Sequence, residues 1–142
     1  MTLLTERLEK AFALTDALAA SLDAAGLAAH NGKARSNTIG AQFWCVCGAR
    51  ESYARAYEAG AWKGFSCSLT DAGAPEAVKV ALAASRAEVT ESIAAAPGDA
   101  AREAILFDLL EHEAQHQGQL IRYFYANDLP FPPVFAKRYA LD

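Results

Sequence analysis

His112 and His116 sit four residues apart in the run His112-Glu113-Ala114-Gln115-His116, in a chain with only three histidines. A helix advances about 1.5 Å and 100° per residue, so residues at i and i+4 stack on one face, roughly 6 Å apart. Two imidazoles placed that way can turn toward a single metal ion, and imidazole suits zinc, nickel, copper or iron. A mononuclear catalytic site usually takes three protein ligands and keeps one position open, so the pair calls for a partner elsewhere. The candidates are Cys45 and Cys47, in an upstream helical segment, and Asp108, Glu111, Glu113 and Gln115 beside the pair. Cys45 and Cys47 are about 200° apart on a helix and cannot both face one site. Asp108 precedes His112 by four residues and shares its face, as a ligand or as a carboxylate that orients the imidazole.

Each of these residues also has a plain structural reading. Free cysteine is among the most buried residue types, so Cys45 can be a small core hydrophobe. Glu111 and Glu113 read most simply as a solvated face, Cys67 as an unpaired loop thiol, and His30, in a surface connection, as no ligand. A redox role for Cys45 or Cys47 is weaker still. Their sulfurs point apart, and neither sits at a helix N-terminus that would depress its pKa.

The elements that must position these groups are helices. Alanine, leucine, glutamate and arginine dominate, all strong helix formers. Leu4, Leu8, Phe12, Leu14, Leu18 and Leu22 recur at three- and four-residue spacing and predict a first helix over residues 3–25, closed by Gly26. Ser36 or Asn37 is a good N-cap for a second over 38–59, ended by Gly60. Residues 61–75, with Trp62, Phe65 and Gly73, read as a long loop of the kind that often carries function. Pro75 can open a third helix over 75–95, and Asp99 can cap a fourth over 101–126. Pro130, Pro132 and Pro133 preclude regular helix beyond and predict a tail laid on the body. With no strand-like alternation, an all-α four-helix bundle in one domain spanning 1–142 is the expected fold.

Composition excludes several classes of function. With 142 residues, 53% of them hydrophobic, the chain is too apolar for disorder and long enough for one core. A net charge of −4 gives no basic footprint for nucleic acid. No segment approaches the roughly 18 uninterrupted apolar residues of a membrane span. The first residues lack a basic start followed by an apolar run. Three cysteines, an odd and small number, argue against a disulfide framework, so a reducing cytoplasm is the expected location.

The run from His112 through His116-Gln117-Gly118-Gln119 resembles the His-x3-His-x-Gly-Gln signature of the DinB/YfiT-like metalloenzyme family, the damage-inducible four-helix DinB proteins. Ser36 to Tyr53 resembles that family's second helix, and Asp128 to Leu141 its C-terminal segment. The likeness covers most of the chain, with the first and third helices matching in pattern only. It implies a four-helix bundle, commonly dimeric, with a divalent metal (zinc or nickel) on one histidine of helix two and two of helix four. Carried over, the metal ligands fall on His112, His116 and Cys45. The cysteine is a departure from the family's histidine. Thiolate is a good zinc ligand, so a Cys-His-His site is chemically reasonable. The resemblance further implies a small-molecule substrate and transfer or activation of a low-molecular-weight thiol. Asp108 and Gln119 are then candidates to orient the ligands, and Trp44, Trp62, Phe65 and Tyr123 to line a pocket. The competing expectation is a non-catalytic dimeric bundle, structural or small-ligand binding, that has lost the metal.

Overall fold

The computed structural model describes residues 2–142. It is all-α, with α1 Leu3–Ala20, α2 Ala24–Leu27, α3 Ile39–Ala59, α4 Pro75–Ala95, α5 Ala100–Ala126 and α6 Pro133–Tyr139. The start signals are local. Thr2 Oγ1 accepts from Thr5 N to open α1, Pro75 occupies the first turn of α4, and Asp99 Oδ1 accepts from Arg102 N at 2.9 Å to open α5. Gly60 ends α3 with φ +74°, a left-handed cap that a residue with a Cβ resists.

Three boundaries differ from expectation. The first helix stops at Ala20 instead of running to residue 25, because the Asp23 side chain accepts from Gly26 N at 2.8 Å and starts the separate turn α2. Gly26 therefore lies inside that turn rather than closing α1. The cap of α3 is Thr38, one residue past the expected pair, since Ser36 and Asn37 use their side chains elsewhere. The proline-rich tail is laid on the body as expected, yet it contains the helix α6. Pro133 stands in the first turn, where a missing N–H costs nothing. Phe135 of α6 is fully buried and stacks on Phe131.

Among the four long helices, α3 packs on α4 and α5, and α1 packs on the same two from the other side, while α6 rests on α1. The apolar interior falls into two clusters. One holds Leu14, Leu18, Phe43, Val46, Leu120, Phe124 and Phe135, the other Leu4, Leu8, Phe12, Tyr57, Leu106 and Leu109. Each such buried side chain stabilises the fold by about 1.5–3 kcal/mol relative to exposure. Buried polar groups of α3 and α5, Arg50 and Glu113 among them, share this interior. No described helix is long and apolar enough to cross a membrane.

Candidate metal centre

Where α3 packs against α5, Cys45 meets the histidine pair. One ligand atom from each of Cys45, His112 and His116 lies within 4.8 Å of the others. Cys45 Sγ is 3.7 Å from His112 Nε2, and the two imidazole rings are 4.5 Å apart at a tilt of 55°. His116 is buried, while Cys45 and His112 are half-buried, so the cluster opens toward the surface on one side.

A hydrogen-bonded chain behind His116 sets which nitrogen is free. Asn37 Oδ1 accepts from Tyr123 OH at 2.6 Å and from Gln42 Nε2 at 3.0 Å. Gln42 is thereby turned so that its Oε1 accepts from His116 Nδ1–H at 2.5 Å. The proton is held on Nδ1 and the Nε2 lone pair is left for a ligand, as second-sphere partners do at histidine metal sites. His112 has no such partner. Its Nδ1 is the one buried side-chain polar atom among the described residues without a hydrogen bond. An orphan of that kind is costly, and it leaves Nε2, the nitrogen beside Cys45 Sγ, as the donor that His112 offers the cluster.

The electrostatics fit ligation. Burial, then the neighbouring His112, pushes the His116 pKa down to about 4. Burial likewise lowers His112, against an opposing pull from Glu113. Both imidazoles are therefore neutral at physiological pH, the form that binds metal. Burial and the nearby Cys67 raise the Cys45 pKa, so Cys45 is a thiol until a cation draws off its proton. One sulfur and two imidazole donors with an open side match the chemistry of a zinc-type centre.

The other expected contributors are arranged differently. Asp108 is exposed and outside the cluster. Its charge is felt instead at Tyr53, whose hydroxyl pKa is raised by burial first and then by Asp108 and Glu111. Gln119 is exposed as well, and Gln42 takes the orienting role. Gln42 lies three residues before Cys45 on the same face of α3, a spacing that could have flagged it. Glu113 is not on a solvated face: it is fully buried and takes Arg50 Nη2 at 2.5 Å. Its place four residues after Leu109 and seven before Leu120 puts it on the inward stripe of α5. His30 stays apart, with Nδ1 3.1 Å from Ser36 O.

Of the expected pocket aromatics, Tyr123 belongs to the Asn37–Gln42 chain. Trp44, Trp62 and Phe65 are exposed. Trp44 pairs with Phe65 at 5.3 Å and Trp62 with Tyr53 at 5.1 Å, and the Tyr53 ring is 6.5 Å from His112. These pairs form a rim rather than an enclosed chamber. One cavity of about 560 Å³ lies elsewhere, between α1 and α4, lined by Leu8, Phe12, Val89 and Ile93. No family model, curated protein or solved structure matches the chain.

Proposed function

We propose that this chain is a metal-dependent enzyme of the DinB-like type, a four-helix bundle working as a homodimer. It would hold one divalent ion, zinc or nickel, on Cys45, His112 and His116. Its substrate class would be a small molecule joined to, or activated by, a low-molecular-weight thiol. The observation that carries this reading is the cluster itself, in which Cys45, His112 and His116 bring one donor atom each within 4.8 Å of the others, with His112 Nε2 facing Cys45 Sγ. The sequence resemblance of α3 and α5 to the family supports the bundle, the dimer and the thiol chemistry.

When bound, the metal would supply a positive charge that lowers the pKa of a thiol, so that the nucleophilic thiolate exists at neutral pH. The chain's own residues would do the rest. Gln42 holds the His116 proton at Nδ1 and fixes the ring. Burial keeps both imidazoles neutral. The exposed rings of Trp44, Phe65 and Trp62 offer apolar contact to a substrate approaching from the open side, with the Tyr53 hydroxyl beside them.

The test is metal content by elemental mass spectrometry, on protein purified without a polyhistidine tag, for wild type and His112→Ala. One zinc or nickel fewer per chain in the variant, with loss of any thiol-transfer turnover, is the expected result. Equal metal content in the two proteins would withdraw the reading in favour of a non-catalytic bundle.

A further inference from the structure

The loop between α3 and α4 folds back on α3 and assembles a second set of metal-ligating groups. Cys47 Sγ, a Glu51 carboxylate oxygen and Cys67 Sγ lie within 4.8 Å of one another. Cys47 and Glu51 are one helical turn apart on α3, with Sγ 3.4 Å from Glu51 Oε1. Cys67 is held in place from both sides. On one, Ser66 N donates to Ser52 Oγ at 3.1 Å while Ser52 Oγ donates back to Ser66 O at 3.2 Å. On the other, Ser68 N donates to Glu51 Oε2 at 2.9 Å and Ser68 Oγ to Oε1 at 2.5 Å. Gly48 supplies the room, because a Cβ there would stand 2.8 Å from Cys67 Cβ and collide with the Phe65 ring. The loop thiol is thus positioned by its neighbours' bonds before any ligand arrives.

We infer that Cys47, Glu51 and Cys67 form a second metal site, selective for a soft or borderline divalent cation of the zinc or cadmium kind. Two sulfurs and one carboxylate are a donor set that hard cations such as magnesium do not favour. The thiols' present partners are weak and replaceable, Ala81 O at 3.6 Å for Cys47 and Trp44 O at 3.3 Å for Cys67. On binding, each thiol releases its proton to solvent and gives the sulfur pair to the cation. Glu51 exchanges the Cys47 S–H it accepts for the same ion and keeps Ser68. Entry is from the loop side, where Cys67 is half-buried. The two sites share no ligand, since Cys45 and Cys47 project about 200° apart around α3. A cation here ties the loop to α3, and with it Phe65, which packs on Trp44 at the rim of the histidine centre.

The experiment is a cadmium titration of chelator-stripped, thiol-reduced protein, reading bound cadmium per chain and the ultraviolet sulfur-to-cadmium charge-transfer band. Wild type is expected to take two cadmium ions, Cys67→Ser one, and His112→Ala one. The ion kept by His112→Ala should show the stronger band of a two-sulfur site. Cys67→Ser replaces a loop side chain, and an unchanged circular dichroism spectrum certifies its fold. One cadmium in wild type, lost in Cys67→Ser but kept in His112→Ala, would uphold this site and remove the histidine centre. Equal cadmium in wild type and Cys67→Ser would overturn the proposal. So would a Cys47–Cys67 disulfide that persists after reduction and blocks uptake.

Discussion

Two polar clusters sit side by side between α3 and α5, and they are finished to different standards. Arg50 is fully buried, and its guanidinium is matched throughout. Nε and Nη2 donate to Glu113, Nη1 to Asp16 at 3.0 Å and to Leu82 O at 3.1 Å, and Nη2 also to Phe12 O. The Phe12 ring lies 4.5 Å beneath it. Five residues earlier on α3 and one earlier on α5, Cys45 and His112 meet with a 3.7 Å sulfur–nitrogen contact and an orphan Nδ1. Charges enclosed in a protein must be compensated internally, and the Arg50 cluster obeys that rule. The cysteine–histidine cluster has no such set of matched partners. The contrast separates a closed cluster from an open one, the one we propose holds a cation.

The largest expected effect breaks the finished side. Arg50→Met strands the Glu113 carboxylate in the interior and should lower the unfolding free energy by about 3–5 kcal/mol, the usual result of removing one partner of a buried pair. Urea denaturation measures it. Arg50→Met combined with Glu113→Leu should recover most of that loss, because no buried charge is left alone on α5. A double variant as unstable as the single would mean that Arg50 acts through Asp16 and the carbonyls, not through Glu113.

The open side should respond to metal instead. Zinc at about 100 times its dissociation constant should stabilise the folded chain by about 2.7 kcal/mol, an increment that chelator removes. His112→Ala should lose the histidine centre's share of that increment while changing little in chelated protein, since the side chain it removes has an unsatisfied nitrogen. Thermal unfolding with and without zinc reads both. A large loss of stability in chelated His112→Ala would place His112 with the architectural cluster.

Gln42→Leu comes next. It frees His116 Nδ1 and loosens the ring, and removing such a supporting partner typically weakens metal affinity about 10–100-fold. Competition against a chromophoric zinc chelator gives the number. The affinity should fall much further than the stability of the chelated protein, and equal losses in both would mark Gln42 as packing rather than support.

These residues also show what could be read in advance and what could not. The long helices were legible because their punctuation is local: Pro75, Gly60 and Asp99 act on their own first or last turns. The histidine pair was legible for the same reason, as an i, i+4 spacing within one helix. Cys45 was one candidate partner among several in sequence, and only the packing of α3 on α5 sets it beside the histidine pair. What stayed hidden depends on contacts across the fold. Glu113 lies on the inward stripe of α5, but that a carboxylate can stay buried there depends on Arg50, 63 residues away. Gln42 is one polar residue among several until His116 stands beside it. The helix in the tail was missed because three prolines outweighed the buried ring of Phe135, whose partners Phe131 and Tyr139 pin that segment down.

The smallest expected effect is also the sharpest check on where the open cluster ends. Asp108 stands four residues before His112, on the helix face from which a carboxylate can reach the ligand set. In the fold it is exposed, and it makes no side-chain hydrogen bond or ion pair among the described residues. Asp108→Asn should therefore move stability by no more than about 0.5 kcal/mol, as substitutions at such surface positions do. Zinc affinity should stay within the error of the competition assay. The Tyr53 hydroxyl should titrate at lower pH, because a charge that holds its pKa up has been removed. A tenfold loss of zinc affinity without that tyrosine shift would mean that Asp108 swings inward once a cation binds. The line between the two clusters would then have to be redrawn to give the metal a carboxylate.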